Sequence, residues 1–256
     1  MPGVTLDLPP SGPEPDGAER VRVLSYNIRS QRDDRRALVR VIRACAADLV
    51  CIQESPRYWR PEGQAAWLAR QTGTVILSGG GRTAAGPLIL GGLRATVLRR
   101  ADLLLPKKPR LHARGFATAV VRLGRAAPFS LTSCHLSMNS DERLEQFRLL
   151  PGQRAGAEHA VIAGDFNEHP EDRGWQWLAE SHQDAWATAP WGGEYTSHPG
   201  DPLQRLDAVF ATPAITVLAA GVPPLDHHDL MTATDHLPVL AVLRVPAAGG
   251  DPGAGA

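Results

Sequence analysis

The stretch VRVLSYNIRSQRDDRRALVRVIRACAADLVCIQE (residues 21–54) decides the fold. Its opening, VRVLSYN (21–27), reads as a strand. Apolar residues recur at helical spacing over 35–46, with Asp33 or Asp34 as N-cap, and DLVCIQE (48–54) is a second strand. The same grammar returns later: PFSLTSCH (128–135) is strand-like, 141–157 is helical behind Ser140 or Asp141, and AVIAGD (160–165) is a short apolar strand. Further strand candidates are TVIL (74–77), RATVLRR (94–100), GFATAVVRL (115–123), RLDAVFA (205–211), AITVLAA (214–220) and LPVLAVLRV (237–245). Several are apolar on both faces, as strands sandwiched between layers are. The expected fold is α/β, a four-layer sandwich of two facing mixed β-sheets flanked by helices.

This body spans 21–246 with no long linker, and its Gly/Pro clusters (78–86, 190–202, 221–224) read as loops within one domain. The ends, 1–20 and 247–256, are rich in Pro, Gly and Ala and are expected to be disordered. A chain of 256 residues is long enough to bury a core without disulfides. Lys plus Arg and Asp plus Glu both total 27, so no global field favours nucleic acid over other partners. Cys45, Cys51 and Cys134 form no CxxC pair and read as buried, reduced thiols. Neither a signal peptide nor a membrane span of about 18 apolar residues is visible, so a cytoplasmic monomer is expected.

Polar residues gather where these strands end: Asn27, Glu54, His135, Asp165 and Asn167. Ligands collect at such positions in α/β folds. Asp207 stands inside an otherwise apolar strand, where an unpaired charge is costly, and Asp235 and His236 immediately precede the last strand. If Glu54, Asp165 and Asp235 converge in a partly dry cleft, a hard divalent cation relieves their repulsion. Oxygen ligands without a Cys/His cluster favour Mg²⁺ or Mn²⁺ over Zn²⁺. A metal beside an Asp-oriented histidine is equipment for hydrolysing a phosphate ester. Taken singly, each piece has a plainer reading: Asn27 as a turn residue, Asp-Phe-Asn as an Asx-turn, Asp-His as a loop cap.

The segments SYNIR, DLVCIQE, CHLS, GDFNE, RLDAVF and TDHLPV, in this order, resemble the endonuclease/exonuclease/phosphatase superfamily over residues 21–245. The resemblance implies that Glu54 is a metal ligand, Asn27 a neighbouring ligand or orienter, and Asp235 the completion of the acidic cluster. It implies that Asp165 and Asn167 hold the metal side and position the attacking water and the phosphate. His236, fixed by Asp207, is implied as general base or phosphate contact, with Asp165 equally in contention as base. His135 is implied as a second phosphate contact or proton donor. YTSH (195–198) resembles a substrate-side segment of that family, with Thr196 as the contact. Thr234 stands where many members have Ser, and Arg29 and SPRYW (55–59) make a less familiar rim that bears on substrate. The expected partner is a phosphoester, whether DNA, a nucleotide, an inositol phosphate or a phospholipid head group. The rival reading is a catalytically silent module that holds a phosphorylated ligand in the same cleft.

DHHDL (226–230) reads as a solvated loop rather than a second metal cluster, and GGGR (79–82) lacks the Lys-Ser/Thr of a P-loop. Trp67, Trp175 and Trp177 are expected in or against the core, whereas Trp59 and Trp191 are substrate-rim candidates.

Overall fold

The computed structural model describes residues 6–249. In chain order the first half carries β1 (Gly12–Pro13), β2 (Glu19–Asn27), α1 (Arg35–Ala44), β3 (Leu49–Gln53), α2 (Pro61–Thr72), β4 (Val75–Gly79), β5 (Leu88–Gly91), β6 (Ala95–Arg100), β7 (Leu103–Leu104) and β8 (Gly115–Leu123). There follow β9 (Phe129–His135), α3 (Ser140–Leu149), β10 (His159–Asp165), α4 (Arg173–Ala179), β11 (Gln183–Asp184), α5 (Ala185–Thr188), β12 (Asp207–Ala211), β13 (Thr216–Gly221), α6 (His227–Ala233) and β14 (Val239–Val245).

The strands form two seven-stranded sheets, ordered β13-β14-β2-β3-β5-β4 with β1 beside β2, and β11-β12-β10-β9-β8-β6 with β7 beside β8. Each sheet has one parallel pair, β2/β3 and β9/β10, made by a strand–helix–strand crossover; their other pairs are antiparallel. Alternation sends Val21, Val23, Leu49 and Cys51 of the first sheet inward against Ala119, Leu131, Val161 and Val209 of the second. The opposite faces bury Leu24, Tyr26, Val50 and Ile52 beneath α1 and α2, and Ile162 and Phe210 beneath Phe147 of α3 and Trp175 of α4. Helices, sheet, sheet and helices make the four expected layers. Among the described residues no helix is long and apolar enough to cross a membrane.

Several boundaries differ from the sequence reading for local reasons. Asp34 caps α1, accepting from the backbone N–H of Arg36 and Ala37. The second crossover helix stops at Leu149 instead of continuing to 157, because Pro151 cannot donate to the helix and a 3₁₀ turn, Leu150–Gly152, follows. Its cap is Asn139, whose Oδ1 accepts from Glu142 N–H. The expected loop at 226–230 is instead the start of α6, capped by Asp226 and tied to α1 by the Arg40–Asp229 ion pair at 2.6 Å. Strand β5, four residues behind Pro87, carries too short a pattern to be read from sequence.

The expectation of a disordered start fails from residue 6 onward. Leu6 packs into the helix-side core, and the Arg22 guanidinium donates to the Leu8 and Pro9 carbonyls at 3.1 Å each. Glu14 and Asp16 pair with Arg244 of β14. At the other end Ala247 bridges Ala126, and the remainder of the expected C-terminal tail, 250–256, lies outside the described residues, as do residues 1–5.

Candidate active site

Register places the polar strand ends side by side. Asp165, last in β10, is level with His135 of parallel β9 and with Asp207 of antiparallel β12, so three sheet neighbours present an acid–base row. Gly164 allows this approach: a Cβ there would collide with the Cys134 carbonyl and thiol. In the facing sheet Asn27 ends β2 level with Gln53, and Glu54 follows in the left-handed region at φ 53°. A polar floor joins the sheets below them, Gln53 Nε2 donating to Ser133 Oγ at 3.3 Å and Ser133 Oγ to the Ile52 carbonyl at 2.9 Å.

Asp165 is the hub. Its Oδ2 accepts from Asn27 Nδ2 at 2.9 Å, and its Oδ1 from the Asn167 backbone N–H at 3.0 Å. The Nε2 atoms of His135 and His236 stand 3.4 and 3.8 Å from Oδ2. The same Asn27 amide donates to Glu54 Oε1 at 3.2 Å, so one side chain orients a carboxylate on each sheet. Asn167, itself left-handed at φ 50°, donates Nδ2 to the Leu136 carbonyl at 2.9 Å, which fixes its amide at the mouth.

His236 Nδ1 and Asp207 Oδ2 are 2.8 Å apart, with Asp207 buried. This bond settles the ring orientation and leaves Nε2 toward the cleft. Burial alone would lower the proton affinity of His236. The carboxylates of Asp207, Asp165 and Asp235 outweigh it and raise the pKa from 6.5 to about 10. His135 has no such partner: burial dominates, Asp165 only partly opposes it, and the pKa falls to about 3. One imidazole beside Asp165 is held protonated and the other neutral. Oxygen and nitrogen atoms of Asp165, Asp207 and His236 lie within 4.8 Å of one another, but Asp207 is already committed to His236.

The more accessible carboxylates are Glu54 and Asp235. Among the described residues and beyond Asn27, their oxygens are hydrogen-bonded or ion-paired only to the Thr234 hydroxyl, at 3.3 Å from Asp235 Oδ1, and to Arg29, whose Nε is 3.2 Å from Asp235 Oδ2. Half-buried oxygens with room for further partners are donor chemistry suited to a hard divalent cation.

The sequence profile of the Endonuclease/Exonuclease/phosphatase family matches residues 24–236. The chain belongs to the endonuclease/exonuclease/phosphatase family. A family protein from Bacteroides vulgatus has a similar structure, with a TM-score of 0.72 at 21% identity over 88% of this chain and 99% of that one. A mannosyl-6-phosphatase from Bacteroides thetaiotaomicron VPI-5482 gives 0.70 at 17% identity over 87% and 99%. TDP2 from D. rerio, solved with a single-strand DNA product, gives 0.68 at 17% identity over 88% and 98%. No curated protein sequence matches the chain. Members of this family are phosphoester hydrolases, typically dependent on a divalent metal, and Asp165, Asp207 and His236 are grouped closely enough here to hold a metal ion.

Within this family site one sequence expectation needs correction. Thr196 does not face substrate: it is wholly buried, and its hydroxyl accepts from the backbone N–H of Leu206 and Asp207 at 3.1 Å each. It is a positioning residue beneath Asp207. Arg29, expected on the substrate rim, is engaged with Asp235 and, at 3.4 Å, with Asp33. Trp59 is 90% exposed, whereas Trp191 packs against the helix-side core and Trp175 is buried.

Arg114 escaped the sequence reading. It is 9% exposed, and its Nε has no hydrogen-bond partner among the described residues. Burial lowers its pKa, with Asp165 and Glu54 opposing and neighbouring Arg57 adding to the effect. The available signal was the Arg that ends the basic stretch KKPRLHAR (107–114), directly before the apolar strand β8. Because β8 runs antiparallel to β9, its start lies beside the end of β9 that carries His135.

Proposed function

We propose that this chain is a divalent-metal-dependent hydrolase that cleaves a phosphoester bond by in-line attack of water. The observation that carries the reading is the pairing of Asp165 with two oppositely tuned imidazoles beside the accessible oxygens of Glu54 and Asp235. Mg²⁺ or Mn²⁺ suits that all-oxygen set, with Glu54 and Asp235 as ligands and Asn27 and Asp165 beside them. Such an ion supplies positive charge against the phosphoryl oxygens. Asp165, oriented by Asn27 and Asn167, accepts the proton of the attacking water, while the mouth-facing Asn167 amide positions water and phosphate. His236, backed by Asp207, donates from Nε2 to a phosphate oxygen, a charge-assisted bond. Neutral His135 is a hydrogen-bonding contact, and the guanidinium of Arg114, whose Nε has no partner among the described residues, adds charge where the phosphate develops it.

The test is hydrolysis of an aryl phosphodiester and an aryl phosphomonoester, with Mg²⁺, with Mn²⁺ and with chelator, alongside Glu54→Gln and His236→Ala. Activity that survives chelation, or that neither substitution lowers, sinks the mechanism. Phosphate binding without turnover of any ester favours the silent module instead. The same assay across plasmid DNA, a nucleotide, an inositol phosphate and sphingomyelin assigns the substrate class.

A further inference from the structure

Three consecutive residues, following Asn27 and Ile28, hold left-handed backbone angles: Arg29 at φ 42°, Ser30 at 56° and Gln31 at 56°. None is glycine, and each such residue costs on the order of 1 kcal/mol. The surroundings enforce the turn. Arg29 N–H donates to Asn27 Oδ1 at 3.1 Å, Ser30 N–H to the Glu54 carbonyl at 2.9 Å, and Gln31 N–H to the Ile28 carbonyl at 2.7 Å. Two of these anchors are site residues, so the turn projects Arg29 from the platform that carries Asn27 and Glu54. The guanidinium then reaches Asp235, which comes from the far end of the chain.

We infer that Arg29 is a built-in counter-cation of Asp235, which a divalent ion must displace and which therefore sets the affinity of the site for metal. The inference rests on the metal reading given above. Displacement is cheap, because the Arg29 and Asp235 side chains are 46% and 37% exposed, and an ion pair that open is weak. The guanidinium also contacts Asp33 at 3.4 Å, a second partner that can hold it once Asp235 is released. It remains close enough to repel a doubly charged ion on Asp235, and only added salt would screen that repulsion. The arrangement satisfies Asp235 in the metal-free protein and raises the metal concentration at which the site fills.

The experiment is calorimetric titration of the chelator-treated protein with Mg²⁺ at low and high salt, with Mn²⁺ followed by electron paramagnetic resonance as a second readout. The variants are Arg29→Gln, Arg29→Met as a second neutral side chain, Arg29→Lys to keep the charge, and Glu54→Gln as a control for the metal site. The neutral variants are expected to bind about fivefold more tightly than wild type at low salt, with a smaller gap at high salt and Arg29→Lys close to wild type. Neutral-variant curves superimposed on wild type, or weaker, overturn the inference while leaving the metal reading intact, provided Glu54→Gln weakens binding. A wild-type protein with no saturable binding, or one indifferent to Glu54→Gln, overturns the metal reading and the inference together.

Discussion

The two strand–helix–strand units are built alike and end differently. The unit of β2, α1 and β3 ends on buried Asn27 and delivers Glu54 to a half-open rim, where the Asn27 amide orients the carboxylate and Arg29 holds neighbouring Asp235. The unit of β9, α3 and β10 delivers His135 and Asp165 to a buried row completed by Asp207. Solvent access separates their chemistry. At the rim, oxygens remain free to exchange partners, as a metal site requires. In the row, low dielectric amplifies each neighbour, so the balance of burial against the carboxylates facing each ring decides whether an imidazole keeps its proton.

The largest expected effect comes from setting the hub of the row against the rim. Asp165→Asn should lower kcat/KM by about 10²–10⁴, with no recovery on adding metal, because a proton acceptor is lost. Glu54→Gln should instead raise the metal concentration for half-maximal activity more than about tenfold and regain turnover when Mg²⁺ is in excess. Metal titrations of both variants check this contrast. Equal responses to metal would erase the proposed division between rim and row.

Next in size is the pH dependence of stability, measured in chelator. His236 has a folded pKa near 10, above its unfolded value of 6.5, so its stabilisation is complete below 6.5 and lost as pH rises toward 10. His135 has a folded pKa near 3, below 6.5, so its contribution holds above 6.5 and is lost as pH falls toward 3. Urea midpoints across pH should therefore sag on both sides. His236→Ala should flatten the alkaline limb, and His135→Ala the acid limb. A His236→Ala protein that keeps the full alkaline slope would disprove the role assigned to Asp207.

Two aspartates contrast at a smaller scale. Asp207→Asn weakens a buried charge-assisted bond and should destabilise by about 1–3 kcal/mol. Asp235→Asn, on the half-exposed rim, should stay within about 0.5 kcal/mol. Denaturant melts of both proteins decide the matter.

How much of this was legible follows from the range of each interaction. The crossovers, the strand ends and the solitary Asp207 are local patterns, and Asn27, Glu54, His135, Asp165 and His236 all stand at the one end of the sandwich that those patterns implied. What sequence hid depends on partners far along the chain. Thr196 looks like a surface hydroxyl until Leu206 and Asp207 fold over it. Arg114 looks like a strand-flanking charge until antiparallel pairing sets it beside β9. The segment from Leu6 to Asp16 has a disordered composition, yet Arg22, Arg20 and Arg244 satisfy its carbonyls and carboxylates.

The smallest effect is expected at Thr234. Its hydroxyl donates to the Asn27 carbonyl at 3.1 Å and stands 3.3 Å from Asp235 Oδ1, joining the end of β2 to the turn that carries both Asp235 and His236. Serine keeps that hydroxyl and loses one buried methyl, so Thr234→Ser should cost no more than about 1 kcal/mol and change kcat/KM by less than about twofold. Thr234→Val keeps the shape and deletes the donor, leaving the Asn27 carbonyl without it in a buried position, at a cost of about 1–3 kcal/mol. If serine melts lower than valine, the methyl rather than the hydroxyl holds the turn, and the link between rim and row does not run through the Thr234 hydroxyl. If only valine falls, the hydroxyl is the stitch that lets an exchangeable rim sit on a fixed row.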